Sequence, residues 1–292
     1  MVTIPDPFLK VWWRFMNNDD KMIVQKRIGY LQSLLEMNAW PGLIGTMVKF
    51  WDSENMVFWF GEVELTPTIQ KVLISYESVA MCNKRKRHPN TDLLYPIIWD
   101  FAKIREKFSL VKAEWMNKLP GPNIPFRELH YRFGCERAYE KYKYEFLSKE
   151  KWNEMCPLTF AICLLGTIVF PQGPKYTIHP SVFMVSHSIF YEVDYKTLTK
   201  YYTLGPMILA DIYRALDKFQ SGECFFQVCN LIQHLWMMRH LIKTHNPKEP
   251  DPLRWSDELH GHDWWLYHNR CNKIGGEIFV YSKLRGLRDE NV

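Results

Sequence analysis

The familiar signatures of catalysis are missing from this chain of 292 residues. It has no Gly-rich phosphate loop of the Walker type, no Gly-x-Gly-x-x-Gly after a strand, no Gly-x-Ser-x-Gly elbow and no His-Glu-x-x-His. The sequence signals for nucleotide, dinucleotide, serine-hydrolase and zinc-protease chemistry are therefore absent. The amino terminus, MVTIPDPFLKVWW, lacks the basic region and long apolar run of a secretory leader, and the expectation is a chain made and kept inside the cell. The absence of any Asn-x-Ser/Thr acceptor agrees. The longest apolar run, Pro157 to Phe170, contains two Thr and a Gly and stops at Pro171, short of the ~20 residues that span a bilayer. It reads as a buried helix, with no membrane partner. Seven cysteines form an odd set without framework spacing, which predicts reduced, buried thiols. There is no internal repeat and no low-complexity tract.

What is present is the material of a core. The chain is 47% apolar and 24% charged, and its 15% aromatic content includes 12 Trp, which excludes disorder of the whole chain. The length allows one large domain or two. A single domain over 1–292 is expected, with a candidate subdomain break near 117–125, where Pro120, Gly121, Pro122 and Pro125 cluster. The 37 basic and 32 acidic residues leave a formal charge of +5, spread along the chain. That balance is compatible with nucleic acid and does not demand it.

Leu204 to Leu241 reads as two helices joined by a tight turn. Leu204, Ile208, Ile212, Ala215, Leu216 and Phe219 recur at helical spacing opposite Asp211, Arg214, Asp217 and Lys218. Pro206 suits the first turn and Gly222 the stop. The second helix has so narrow a polar stripe that Cys229 and Trp236 are expected in the core. Further helices are predicted over Phe8–Met16, over Met22–Met37 with Asp19 or Asp20 as cap, over Leu43–Trp51, from Thr66-Pro67 onward, over Pro96–Leu110, over Arg127–Phe133 and over Glu136–Phe146. Ser181–Phe190 is ambiguous between helix and strand and is read as helix. Met56–Leu65, MVFWFGEVEL, reads as a hairpin about Gly61. The fold class that follows is mainly α, a multi-helix bundle with one small β-hairpin near residues 56–65.

Candidate chemistry is sparse. Lys84, Arg85, Lys86 and Arg87 stand in a polar, aperiodic stretch, and four adjacent cations must be solvated. Nuclear import and phosphate contact are the two functional readings, and a solvated basic loop is the plain one. Cys224, Cys229, His234 and His240 are five, five and six residues apart, so on one helix they point around it and not at one ion. His260, His262, His268 and Cys271 match no zinc spacing; surface histidines explain them, and no metal site is assigned. Asp52, Asp100, Asp211 and Glu223 are dispersed, as expected of charged faces. Trp12-Trp13 and Trp264-Trp265 offer rings for base stacking, or for a core or an interface.

The blocks PMILADIYRAL, FQSGECFFQVCNLIQHLWMMRHL, FAICLLGTIVFPQ and FWFGEVELTPTI resemble a plant family of unknown function, related to the plant mobile domain and often labelled aminotransferase-like. The likeness runs from about Phe8 to Leu287, while similar proteins continue further, so a copy truncated at its C-terminal end is expected. The resemblance implies a nuclear or transposon-derived role and supplies no catalytic residues. A pyridoxal-phosphate enzyme needs a Schiff-base Lys, a phosphate cup and a large α/β sheet, for which this helical pattern has no counterpart, so no cofactor is expected. The combined expectation is a non-catalytic interaction domain in the nucleus with an unidentified protein partner. The alternative is a nucleic-acid-binding or transposase-accessory protein.

Overall fold

The computed structural model describes residues 6–36, 41–68, 123–145, 148–171, 176–187, 189–190, 204–222, 229, 231–233, 236, 281 and 284–286. Of these, 72% are helical and 9% lie in strands, so the protein is mainly α. The elements, in chain order, are α1 (Pro7–Phe15), α2 (Asn18–Ile28), a 3-10 turn (Leu31–Glu36), α3 (Pro41–Met47), β1 (Trp51–Asp52), β2 (Val57–Phe60), β3 (Val63–Leu65), β4 (Ile124–Pro125), α4 (Phe126–Leu129), α5 (Ala138–Tyr142), α6 (Lys149–Leu164), β5 (Thr177–Ile178), α7 (Pro180–His187) and α8 (Gly205–Gln220). The chain forms two compact units. One holds Pro5–Leu35 with Glu77–Leu204, the other Glu36–Tyr76 with Gly205–Val292.

In the unit that contains α1, the centre is α6. Ser148 caps it, its Oγ accepting from the Lys151 amide at 3.2 Å. Every residue from Met155 to Leu164 is buried, because α1, α2, α4 and α7 all pack against it. With the wide π-type turn that follows, Lys149–Val169 is long and apolar enough to cross a membrane, but its most apolar window is 78% buried. That is the packing of a core helix. The helix predicted from Pro157 begins well before it, at Lys149, with Pro157 inside. Burial on all sides outweighs the ~3 kcal/mol that an interior proline costs.

Two other expectations in this unit need correction. Asn17, not Asp19 or Asp20, caps α2, its Oδ1 accepting from the Asp20 amide at 2.8 Å. The two aspartates instead occupy the first turn, where a negative charge meets the positive end of the helix dipole. The same helix stops at Gly29, at φ +67°, and a 3-10 turn replaces the expected run to Met37, since few residues but glycine tolerate that backbone. The helices predicted over Arg127–Phe133 and Glu136–Phe146 are also interrupted. A π-type turn, His130–Gly134, follows α4, and Arg137 enters α5 from the left-handed region at φ +60°. Buried Arg132 holds this corner together: it meets Glu128 at 2.7 Å and Glu145 at 3.4 Å, and its guanidinium lies 5.1 Å from the centre of the Tyr142 ring. The Trp152 indole N–H of α6 donates to the Arg132 carbonyl at 2.9 Å.

The other unit contains the expected hairpin. Strands β2 and β3 pair antiparallel, Phe58 opposite Leu65 and Phe60 opposite Val63, with Gly61 at φ +65° in the turn. Trp51, predicted as the end of a helix, instead begins β1 and adds a third strand. The Asp52 carboxylate accepts from the Glu54 and Asn55 amides at 2.9 and 3.2 Å, an Asx turn that reverses the chain. Helix α8 holds this sheet. Its Asp217 accepts from the Trp51 indole at 3.0 Å, Gln220 donates to the Trp51 carbonyl at 2.6 Å, and the Tyr213 hydroxyl donates to the Pro67 carbonyl at 2.6 Å. The helix ends at Ser221 and Gly222, the latter at φ +94°, where the sequence places the stop. Beyond it Cys229, Leu231, Ile232 and Trp236 are buried, as the narrow polar stripe requires, and Gln233, expected on that stripe, is buried as well. Of the segments 66–76, 96–110 and 117–125, only 66–68 and 123–125 are described.

Candidate functional site

The densest group of polar and aromatic side chains among the described residues surrounds α1. Asp6 caps this helix, its Oδ1 accepting from the Phe8 amide at 2.8 Å, and Pro7 occupies the first turn. Leu9, Trp12 and Met16 face inward. The Trp12 ring meets Phe160 of α6 edge-on at 5.4 Å and His130 at 5.8 Å. Trp13, half-buried, lies 5.2 Å from the same Phe160 ring. The π-type turn brings Gly134 so close that a Cβ there would stand 2.5 Å from the Trp12 ring and 2.7 Å from the His130 ring. This turn therefore aims His130 into a box of Phe8, Trp12, Phe126 and Tyr131.

The Cys135 thiol is a polar neighbour of His130, with Sγ 3.4 Å from Nδ1. Burial lowers the His130 pKa, against the pull of Asp6 and with a smaller push from Arg127 in the same direction. Burial also raises that of Cys135, against the pull of Lys141. Both directions favour a neutral thiol–imidazole pair. A thiolate–imidazolium nucleophile needs the opposite shifts. His130 also sets an expected pH dependence. Because its folded pKa is depressed, protonation favours the unfolded chain, so its contribution is intact above the ordinary value of 6.5 and is lost as pH falls below it. Wild type minus His130→Gln, compared by denaturant unfolding between pH 7.5 and 5, should show a stability loss confined to the wild type. Parallel curves would refute a neutral buried imidazole.

The outer side of α1 is different. Phe8 is 45% exposed, Val11 44% and Phe15 86%, and at 100° per residue these three fall within an arc of about 60°. Arg14 lies beside the Val11 edge of this stripe, with Lys10 further round the helix, and α1 carries no acidic side chain. At the Phe8 end the exposed Arg127 guanidinium sits 5.4 Å from the centre of the Phe8 ring. An apolar stripe bordered by cations is a binding surface in its chemistry.

The residues singled out from sequence fall elsewhere. Lys84, Arg85, Lys86 and Arg87 lie outside the described residues, as do His260, His262, His268, Cys271, Asp100, Glu223 and the Trp264-Trp265 pair. Of the Cys224 set only Cys229 is described; it is buried, and burial pushes its thiol up to about 12. Cys156 and Cys163 are buried free thiols as well, both driven upward by burial. Asp52 is half-buried and held below the usual carboxylate range, first by the Asn55 side chain and then by the Asn55 amide. Asp211 is buried and ion-paired with Arg214. Among the described residues no three His, Cys, Asp or Glu side chains are grouped to hold a metal ion.

One family comparison finds a match. The model of a domain of unknown function, DUF7745, covers residues 9–270. The chain belongs to that family. No curated protein and no solved structure matches it. The DUF7745 span takes in α1 from Leu9 onward, the turn that carries His130, and the Lys84–Arg87 run. The sequence reading of Phe8–Met16 as a helix did not separate the α1 stripe from its core face, although a signal was present. Six of its nine residues after Pro7 and the two cations are apolar, more than the inward arc of one short helix holds, and that excess was the available signal.

Proposed function

We propose that this DUF7745 chain is a non-catalytic protein-interaction domain of plant mobile domain type, transposon-related and nuclear. The observation that carries the reading is the exposed Phe8–Val11–Phe15 stripe on a helix pinned from beneath by Trp12. A rigid helix with an outward apolar stripe is a preformed docking element, and holding it still reduces the ordering cost of association. The reactive groups beneath it are a neutral His–Cys pair, which suits packing better than turnover. The plant mobile domain likeness of the four sequence blocks supports the origin, and the Lys84–Arg87 run supports the compartment. Affinity purification of the tagged chain from plant cells, with and without nuclease, tests the function: a reproducible partner that survives nuclease is expected, and none at all would sink the reading. For the compartment, changing all four residues of the run to Ala should abolish nuclear accumulation of a reporter fusion. Unchanged accumulation would remove the import role.

A second reading, nucleic-acid binding, is favoured by the +5 charge and by cations seated on rings, Arg127 on Phe8 and Lys21 on Trp13. It requires affinity for DNA or RNA that falls steeply with salt, because each phosphate contact releases counterions. Salt-insensitive or undetectable binding removes it.

A further inference from the structure

We infer that the occupant of the α1 stripe is an amphipathic helix with acidic flanks, an inference that rests on the interaction-domain reading. The stripe is straight and one helix turn in rhythm, Phe8, Val11 and Phe15, which matches the i, i+3, i+7 anchors that a second helix lays along its own apolar face. A β-strand partner would need exposed main-chain groups, and α1 has used its own: Asp6 satisfies the first turn, and the Met16 amide returns to the Trp12 carbonyl at 2.9 Å. Charge then selects the partner. Arg14 stands beside the Val11 edge of the stripe and Arg127 at the Phe8 end, with no carboxylate on α1 itself. The one acidic side chain at its start, Asp6, is buried in the cap. A helix with Glu or Asp on its flanks meets Arg14 along one border and Arg127 at the end, whereas a basic helix meets like charge there. Phe15, the most exposed of the three, is the principal anchor.

The test uses the full chain and two labelled helical peptides of about 18 residues, identical in their Leu stripe and carrying Glu or Lys on both flanks. Fluorescence anisotropy at moderate salt should show binding of the Glu peptide and about tenfold weaker or no binding of the Lys peptide. Phe15→Ser and Val11→Ser should each weaken the Glu peptide by about tenfold, Phe15→Ser with an unchanged melting temperature, since that side chain is already largely in water. Arg14→Glu with Arg127→Glu should invert the preference between peptides. Equal affinity for the two peptides, no binding of either, or binding untouched by Phe15→Ser overturns the inference. So does a concentration-dependent dimer that Phe15→Ser dissolves, which would make a second copy the occupant. A nuclease-resistant partner retained equally by wild type and Phe15→Ser would leave the interaction-domain reading standing and overturn this site alone.

Discussion

Gly134→Ala should destabilise the unit that contains α1 by about 3 kcal/mol, although it adds only one methyl group. The reason is space and not backbone conformation. The new Cβ would stand 2.5 Å from the Trp12 ring, 2.6 Å from a second atom of that ring and 2.7 Å from His130. Neither ring can step aside: Trp12 is wedged against Phe160, and His130 is enclosed by Phe8, Phe126 and Tyr131. Displacing them would open the α1–α6 contact, with consequences in a core packed as densely as a crystal. Gly45→Ala is the matched control. Nothing lies within 4 Å of a Cβ there and the site is inside α3, so alanine should stabilise by about 0.5–1 kcal/mol through helix propensity. Denaturant unfolding followed by tryptophan fluorescence reads both, and a Gly134→Ala protein as stable as wild type would mean that the rings are free to move.

Ile232→Asp should unfold the other unit outright. Ile232 is 1% exposed, between Leu231 and Gln233, which are buried too. A carboxylate there loses its hydration, and Asp211, close enough to raise the Cys229 pKa, adds like charge to that neighbourhood. The loss should be several kcal/mol at pH 7, beyond the ~1 kcal/mol expected of Ile232→Val. It should also depend on pH in a defined sense. A buried carboxyl has its folded pKa raised, so the penalty is greatest at neutral pH and shrinks as pH falls toward the ordinary value of 3.8–3.9. Ile232→Asn, which cannot titrate, should lack that recovery. Circular dichroism melts of the three variants at pH 7 and pH 4.5 distinguish the cases, and a wild-type melt for Ile232→Asp would displace Ile232 from the core.

The two cores were legible to different degrees, for local reasons. Helix α8 was readable because its apolar residues keep one face and its ends carry their own signals, Pro206 inside the start and Gly222 at the stop. The β2–β3 hairpin was readable because Gly61 sits between alternating aromatic residues. Trp51 was misassigned, since its place in β1 depends on Asp217 and Gln220 in α8, more than 160 positions away. The apolar run from Pro157 reads as a buried helix and is one, but the helix reaches back to Lys149 past a proline that normally breaks a helix, an exception made by the neighbours packed around α6. The His130–Cys135 pair was not singled out at all. Their spacing of five is no motif; a π-type turn, stabilised by Gly134 against Trp12, brings them together.

Composition and periodicity were sufficient for the mainly α class, the hairpin and the buried thiols of Cys156, Cys163 and Cys229, because these follow from how much apolar surface each segment must hide and at what spacing. Which apolar residues of α1 stay in water was decided only when the chain closed around α6, since burial is a property of neighbours and not of a residue. Leu9 and Trp12 were covered there, whereas Phe8, Val11 and Phe15, no less apolar, were left to face outward.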